Sequence, residues 1–192
     1  AFGDGYIYVA GGMTDGKGSL AAYRLSYPEG KAWERLPDMP GTPRTQPCAA
    51  WQSASLGGQL YVMGGFDPET KKTHGNGLTY NPRTDAWTPT SDFDGALVGA
   101  AAVSSGCGHI LVFGGVDRDV FEAALAVPQP DYMTHEAEWY RFRKDIMVYS
   151  TVTDSWCSIP GSGLFARAGA AVIPWKDGTG AAHWLVVNGE EK

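Results

Sequence analysis

Three charged side chains in this sequence stand where apolar runs begin or end, a setting from which a site for a small anion can be built. Arg44 lies in Pro40-Gly41-Thr42-Pro43-Arg44-Thr45-Gln46 and Arg167 in Phe165-Ala166-Arg167-Ala168-Gly169, each just ahead of an apolar segment. Glu190 follows another such segment in Asn188-Gly189-Glu190-Glu191-Lys192. A guanidinium pairs with a carboxylate through two parallel hydrogen bonds, and a glutamate can carry a proton to or from a reacting group. The set therefore suits an anionic small ligand and acid/base chemistry. The competing reading is structural: arginines that hold loop carbonyls, and a glutamate that is a solvated charge.

Other chemistries find little support. The three cysteines, Cys48, Cys107 and Cys157, form no CxxC and read as buried small hydrophobic residues. His74, His109, His135 and His183 are far apart and show no metal-ligand spacing. A net charge of −6 with no basic run argues against nucleic acid as partner. No apolar stretch approaches the ~20 residues of a membrane-spanning helix, so no membrane partner is expected. The sequence starts at Ala1 with no signal-like segment, so any targeting segment is expected to lie outside it.

The elements that must position these groups are repeated. A strand-like run into a glycine pair recurs as Tyr6-Ile7-Tyr8-Val9-Ala10-Gly11-Gly12, Leu60-Tyr61-Val62-Met63-Gly64-Gly65 and Ile110-Leu111-Val112-Phe113-Gly114-Gly115, with a degenerate copy Trp184-Leu185-Val186-Val187-Asn188-Gly189. The first three pairs begin at Gly11, Gly64 and Gly114, 53 and 50 residues apart. Each is followed by a tyrosine (Tyr23, Tyr80, Tyr149) and then a tryptophan (Trp33, Trp87, Trp156). A period near fifty in this order is the pattern of Kelch repeats, each a four-stranded blade of a β-propeller. Twenty-six glycines, about twice average usage, fit many tight turns. The expected class is all-β, a Kelch-type propeller with blades at 1–43, 44–94 and 95–164 and a partial blade at 165–192.

Counting strands gives three in the first blade, which lacks its innermost, four in each of the next two, and two in the last. Thirteen strands do not close a ring, so the sequence reads as about three to four blades of a larger propeller, with open edges that would allow an oligomer. The third unit carries an insert, 119–144: a helix over 120–126 ended by Pro128 and Pro130, and a second short helix capped by Thr134 and running to Phe142. Such an insert can wall a site or simply cover an apolar edge.

The ordered set Leu36-Pro37-Asp38-Met39-Pro40-Gly41-Thr42-Pro43-Arg44, Gly114-Gly115-Val116-Asp117-Arg118-Asp119-Val120-Phe121, Glu138-Trp139-Tyr140, Phe165-Ala166-Arg167-Ala168-Gly169-Ala170-Ala171 and Asn188-Gly189-Glu190-Glu191-Lys192 resembles the sialic acid mutarotases, also called N-acetylneuraminate epimerases. The likeness spans essentially the whole sequence and is greatest to the cyclically permuted branch of these six-bladed bacterial propellers. It implies an isomerase that interconverts the α and β anomers of N-acetylneuraminic acid or a related sialic acid by acid/base ring opening. No metal or redox cofactor is implied. Glu190 matches the catalytic glutamate of the family motif Asn-Gly-Glu-x-Lys-Pro-Gly-x-Arg, and Asn188 opens that motif as a substrate-binding position. The arginine that ends it would fall four residues past Lys192, so activity of this stretch alone is in question. The substrate carboxylate would be held by Arg44 and Arg167. Some members are periplasmic or secreted. The alternative function is a non-catalytic Kelch module that binds a glycan or a protein. A sialidase is disfavoured by the absence of Ser-x-Asp-x-Gly-x-Thr-Trp boxes, and a copper radical oxidase by the absence of clustered His and Tyr ligands.

Overall fold

Each glycine-pair run forms the second strand of an antiparallel sheet, and the sheets are the blades of a Kelch-type β-propeller, seen in a computed structural model that describes residues 1–53, 57–127 and 129–190. The first blade orders β1 (Phe2–Gly3), β2 (Tyr6–Ala10), β5 (Ala22–Ser26) and β6 (Glu34–Leu36), with a small hairpin of β3 (Met13–Thr14) and β4 (Lys17–Gly18) between β2 and β5. The second orders β7 (Cys48–Gln52), β8 (Gln59–Met63), β11 (Gly77–Asn81) and β12 (Ala86–Pro89), with the equivalent hairpin of β9 (Phe66–Asp67) and β10 (Lys72–Thr73). The third is β13 (Ala101–Gly106), β14 (His109–Phe113), β15 (Ile146–Ser150) and β16 (Ser155–Ile159). A pair, β17 (Ala171–Lys176) and β18 (Ala182–Val187), begins a fourth. The first strands contact one another in the order β1, β7, β13, β17. The first blade thus has an innermost strand that the sequence reading left out: Phe2 pairs with Ile7 and Gly3 with Tyr6, a run too short to show alternation.

The core lies between blades. Tyr8, Leu36, Trp51, Leu60 and Tyr80 pack between the first and second, and Tyr61, Met63, Ile110, Val112 and Tyr149 between the second and third. Tyr80 faces Trp87 and Tyr149 faces Trp156 across their strand pairs. Each tyrosine hydroxyl donates to the aspartate that closes its turn, Asp85 or Asp154, at 2.7 Å. Each indole N–H donates to a carbonyl of the preceding blade, Trp87 to Pro37 at 2.8 Å and Trp156 to Ser91 at 3.2 Å. In the first blade Val9, Tyr23 and Trp33 line a shallow apolar recess, and Trp33 is exposed.

The glycine pairs have a steric reason. Gly64 and Gly114 hold φ +65° and +67°, and a methyl group there would overlap Leu97 and the Arg167 carbonyl, both in the lead-in to the next blade's first strand. The second glycines, Gly65 and Gly115, would strike Thr45 and Ala100 of their own blade. One glycine admits the neighbour and the other admits the inner strand.

The insert forms α1 (Arg118–Ala126), capped by Asp117 accepting from the Val120 N–H, and two 3₁₀ turns, Tyr132–Thr134 and Ala137–Tyr140. Thr134 does not cap the second turn as expected; it ends the first, and its hydroxyl donates to the Asp131 carbonyl. Pro128 lies outside the described residues. Tyr140 and Phe142 are buried against Ala96, Val98 and Val116. Glu122 reaches β10, accepting from Lys72 Nζ, Thr73 N–H and the Thr73 hydroxyl within 2.9 Å. The insert therefore ties the third blade to the hairpin of the second. Of the cysteines only Cys48 is buried, where desolvation pushes its thiol up to about 12. Cys107 and Cys157 are exposed, contrary to expectation: Cys107 sits in a turn between Gly106 and Gly108, and Cys157 on the outermost strand.

Two outcomes follow from this packing. Gly114→Ala forces a side chain into the Arg167 carbonyl at a left-handed φ and is expected to cost about 3 kcal/mol or more, read by urea unfolding. The Asp154 carboxylate is held below its ordinary range by the Ser91 N–H and the Tyr149 hydroxyl. A depressed folded-state value contributes stability above about pH 4 that is lost as pH falls through the folded value. Asp154→Asn is expected to lower Tm at pH 7 and to flatten its decline between pH 5 and pH 3.

Candidate functional site at the channel mouth

Antiparallel order puts the lead-ins to the first strands and the segments after the second strands at one end of the propeller. The lead-ins are built alike. Gln46, Gly99 and Gly169 occupy one register and share φ of 54°, 67° and 71°. Gly99 N–H donates to the Gln46 carbonyl at 3.1 Å and Gly169 N–H to the Gly99 carbonyl at 2.7 Å, stitching three blades around the mouth. The residue before each of these is joined to the residue after the glycine pair: Thr45 is bridged to Phe66 and Ala168 to Glu190, and the Val116 N–H donates to the Val98 carbonyl at 3.1 Å. Glu190 thus occupies the register at which the second and third blades carry the largely buried side chains of Phe66 and Val116.

At this end a cleft of about 640 Å³ is lined by Gln46, Gly99, Ala168, Asn188, Gly189 and Glu190, among others. Among the described residues its one ionisable lining side chain is Glu190, which is exposed. Ala168 N–H donates to the Glu190 carbonyl at 2.8 Å and Glu190 N–H to the Ala168 carbonyl at 2.7 Å, so the backbone beneath the carboxylate is fixed from both sides. No residue of the insert lines this cleft; the insert borders separate hollows beside Asp117, Arg118 and Arg141. Among the described residues no group of His, Cys, Asp and Glu is placed to hold a metal ion.

Of the residues singled out from sequence, the structure brings Arg167, Asn188 and Glu190 together. Arg167 does not itself line the cleft, but its Nη1 donates to the carbonyl of the lining residue Asn188 at 2.9 Å, and its buried Nε has no partner among the described residues. Arg44 stands in the same register, and its Nη1 likewise donates to the first residue of its blade's glycine pair, Gly64, at 3.0 Å. It is not brought to the cleft. Its Nη1 also donates to the Asn76 carbonyl at 2.9 Å and its Nη2 to Asn76 Oδ1 at 2.6 Å, leaving it 4% exposed. Burial lowers its value to about 10, still a cation at neutral pH. The carbonyl-holding alternative describes its geometry. Neighbouring His74, partly buried and bound through Nε2 to the Pro43 carbonyl at 2.9 Å, is held below the ordinary imidazole value by that burial. Gln46 escaped the sequence reading, although aligning its lead-in with those at Gly99 and Gly169 exposes it. Glu191 and Lys192 lie outside the described residues.

The fold has counterparts among known proteins. The solved structure of YjhT superposes with a TM-score of 0.74 at 22% identity, covering 98% of this chain and 64% of that one, which shows a shared fold. N-acetylneuraminate epimerase of Pasteurella multocida (strain Pm70) is 33% identical over 208 residues, 97% of this chain and 50% of the relative. The N-acetylneuraminate epimerase of Escherichia coli (strain K12) is 28% identical over 199 residues, 92% of this chain and 50% of the relative. The chain thus spans about half the length of the curated relatives it matches. A family model for N-acetylneuraminate epimerase matches residues 3–192, nearly every position described above, and the chain belongs to that family.

Proposed function

We propose that the protein carrying this chain is a mutarotase that interconverts the α and β anomers of N-acetylneuraminate or a related sialic acid, with Glu190 as the proton-transfer group. The observation that supports this most directly is the Ala168–Glu190 bridge, which fixes the backbone of the one residue, among those described, that gives a sugar-sized cleft at the channel mouth an ionisable side chain. Membership of the epimerase family supports the substrate class.

In this reading Glu190 takes the proton of the anomeric hydroxyl while the ring oxygen is protonated by water or a second acid. The bond between the anomeric carbon and ring oxygen breaks, and the anomeric carbon becomes a ketone. Rotation about the adjacent carbon–carbon bond presents the other face, and the reverse proton transfers close the ring. Protons and electrons balance with no external reductant or oxidant. Arg167 has donors left over beyond its bond to Asn188, and we assign it to the sugar carboxylate. Asn188, in the cleft lining, offers an amide to the substrate. Arg44 enters the proposal as the residue that fixes the lead-in to β7.

Proton NMR of α-anomer decay, using sialic acid freshly released by a retaining sialidase, tests this on the full-length protein. Acceleration that falls at least a hundredfold in Glu190→Gln is expected; no acceleration by the parent, together with retained sugar or protein binding, would instead favour a non-catalytic binding module. The two arginines should separate. Arg44→Met removes the guanidinium donors from the Gly64 carbonyl and from Asn76 Oδ1 and is expected to lose about 2–3 kcal/mol of stability in urea unfolding. Arg167→Met is expected to raise KM several-fold with a smaller fall in Tm.

A further inference from the structure

The three residues that, among those described, give the cleft its polar side chains all stand where the repeat is broken. In the second and third blades the glycine pair is Gly64-Gly65 and Gly114-Gly115; in the fourth it is Asn188-Gly189, with Asn188 keeping the left-handed φ of +59°. After the pair stand Phe66 and Val116, but Glu190 in the fourth blade. At the lead-in register two blades carry Gly99 and Gly169, and the second carries Gln46 at φ +54°. Each departure substitutes a polar side chain, and all three line one cleft although they come from two blades and are separated by up to 144 positions.

Gln46 is the least explained by the fold. Its backbone work, accepting from the Gly99 N–H, uses only the carbonyl, and Gly99 performs the same task for Gly169 with no side chain. Asparagine enters the left-handed region readily because its short side chain bonds locally; glutamine has no such advantage, and glycine is the residue favoured there. The side chain is exposed, and among the described residues its carboxamide makes no hydrogen bond. A strained conformation is thus kept for a side chain on which the folded chain does not draw.

We infer that Gln46 contacts the substrate: its carboxamide, one donor group and one acceptor, reads the neutral hydrogen-bonding groups of the sugar across the cleft from Glu190. This rests on the reading of the cleft as a sialic acid site and adds a specificity residue to it. A carboxamide carries no charge, so it complements hydroxyl or acetamido groups and leaves the carboxylate to a cation.

Gln46→Gly in the full-length protein is the informative variant, since it installs the residue that the other two blades already use and so does not threaten folding. Expected are a KM for N-acetylneuraminate raised about tenfold, kcat within about twofold of the parent, and Tm unchanged or higher. Gln46→Glu, which puts a second carboxylate in the cleft, should weaken the same anionic substrate further. Calorimetric binding of N-acetylneuraminate is measured alongside, so the result does not hang on turnover. If the parent binds the sugar without accelerating anomer exchange, the mutarotase reading fails and the Gln46 assignment is still decided by the binding ratio. Unchanged KM and affinity in Gln46→Gly would overturn the assignment, as would a loss of affinity that tracks a fall in Tm. A parent that neither binds nor turns over the sugar overturns both.

Discussion

The structure depends on how closely one blade approaches the next at the channel. Gly64 and Gly114 leave no room for a β-carbon, because the lead-in to the following blade already occupies that space. This contact brings the lead-ins within reach of one another, so that Gly99 bonds to Gln46 and Gly169 to Gly99. The tryptophan of each following blade then grips a carbonyl of the blade before it, fixing the outer end of the stack as the glycines fix the inner. The apolar core between these two anchors is filled by side chains from both sheets, while a separate buried cluster, Tyr140 and Phe142 on Ala96, Val98 and Val116, seats the insert on the third blade.

The candidate cleft is an edited portion of that repeated contact. The bridge that seats Phe66 in the second blade seats Glu190 in the fourth, with the same pair of backbone hydrogen bonds. Arg44 and Arg167 show how one structural device diverges. Both hold a carbonyl at the start of the glycine-pair segment; Arg44 is sealed by Asn76, whereas Arg167 spends one donor on Asn188 and retains the others. A guanidinium with spare donors behind a carboxylate-bearing cleft lowers the electrostatic cost of an anionic ligand there.

The period of the glycine pairs, the tyrosine–tryptophan order and the turn at 81–85 are local signals, and the blades follow them. Long-range partners left no such trace. Nothing adjacent to Arg44 announces that Gly64 and Asn76, 20 and 32 positions away, take up its donors. Phe2 and Gly3 form a strand only because β2 is beside them. Cys107 between Gly106 and Gly108 was legible as a turn residue, and general burial statistics for cysteine outweighed that local signal. The grouping of Asn188 with Glu190 was legible because they adjoin; Gln46 becomes visible once the lead-ins are placed in register, and glutamine itself carries no sign of a left-handed backbone.

The stitching of Gln46, Gly99 and Gly169 also settles how polar the mouth can be. The Gly99 and Gly169 N–H groups and the Gln46 and Gly99 carbonyls are spent sideways between blades, so at this register a side chain is what adds polarity. The ligand preference of such a rim can then be rewritten one register position at a time, with the neighbouring blades still held by the same main-chain bonds. In the proposed reading, architecture and recognition are carried by different atoms of the same residues, which would leave a propeller of this kind free to change what it binds while keeping how it folds.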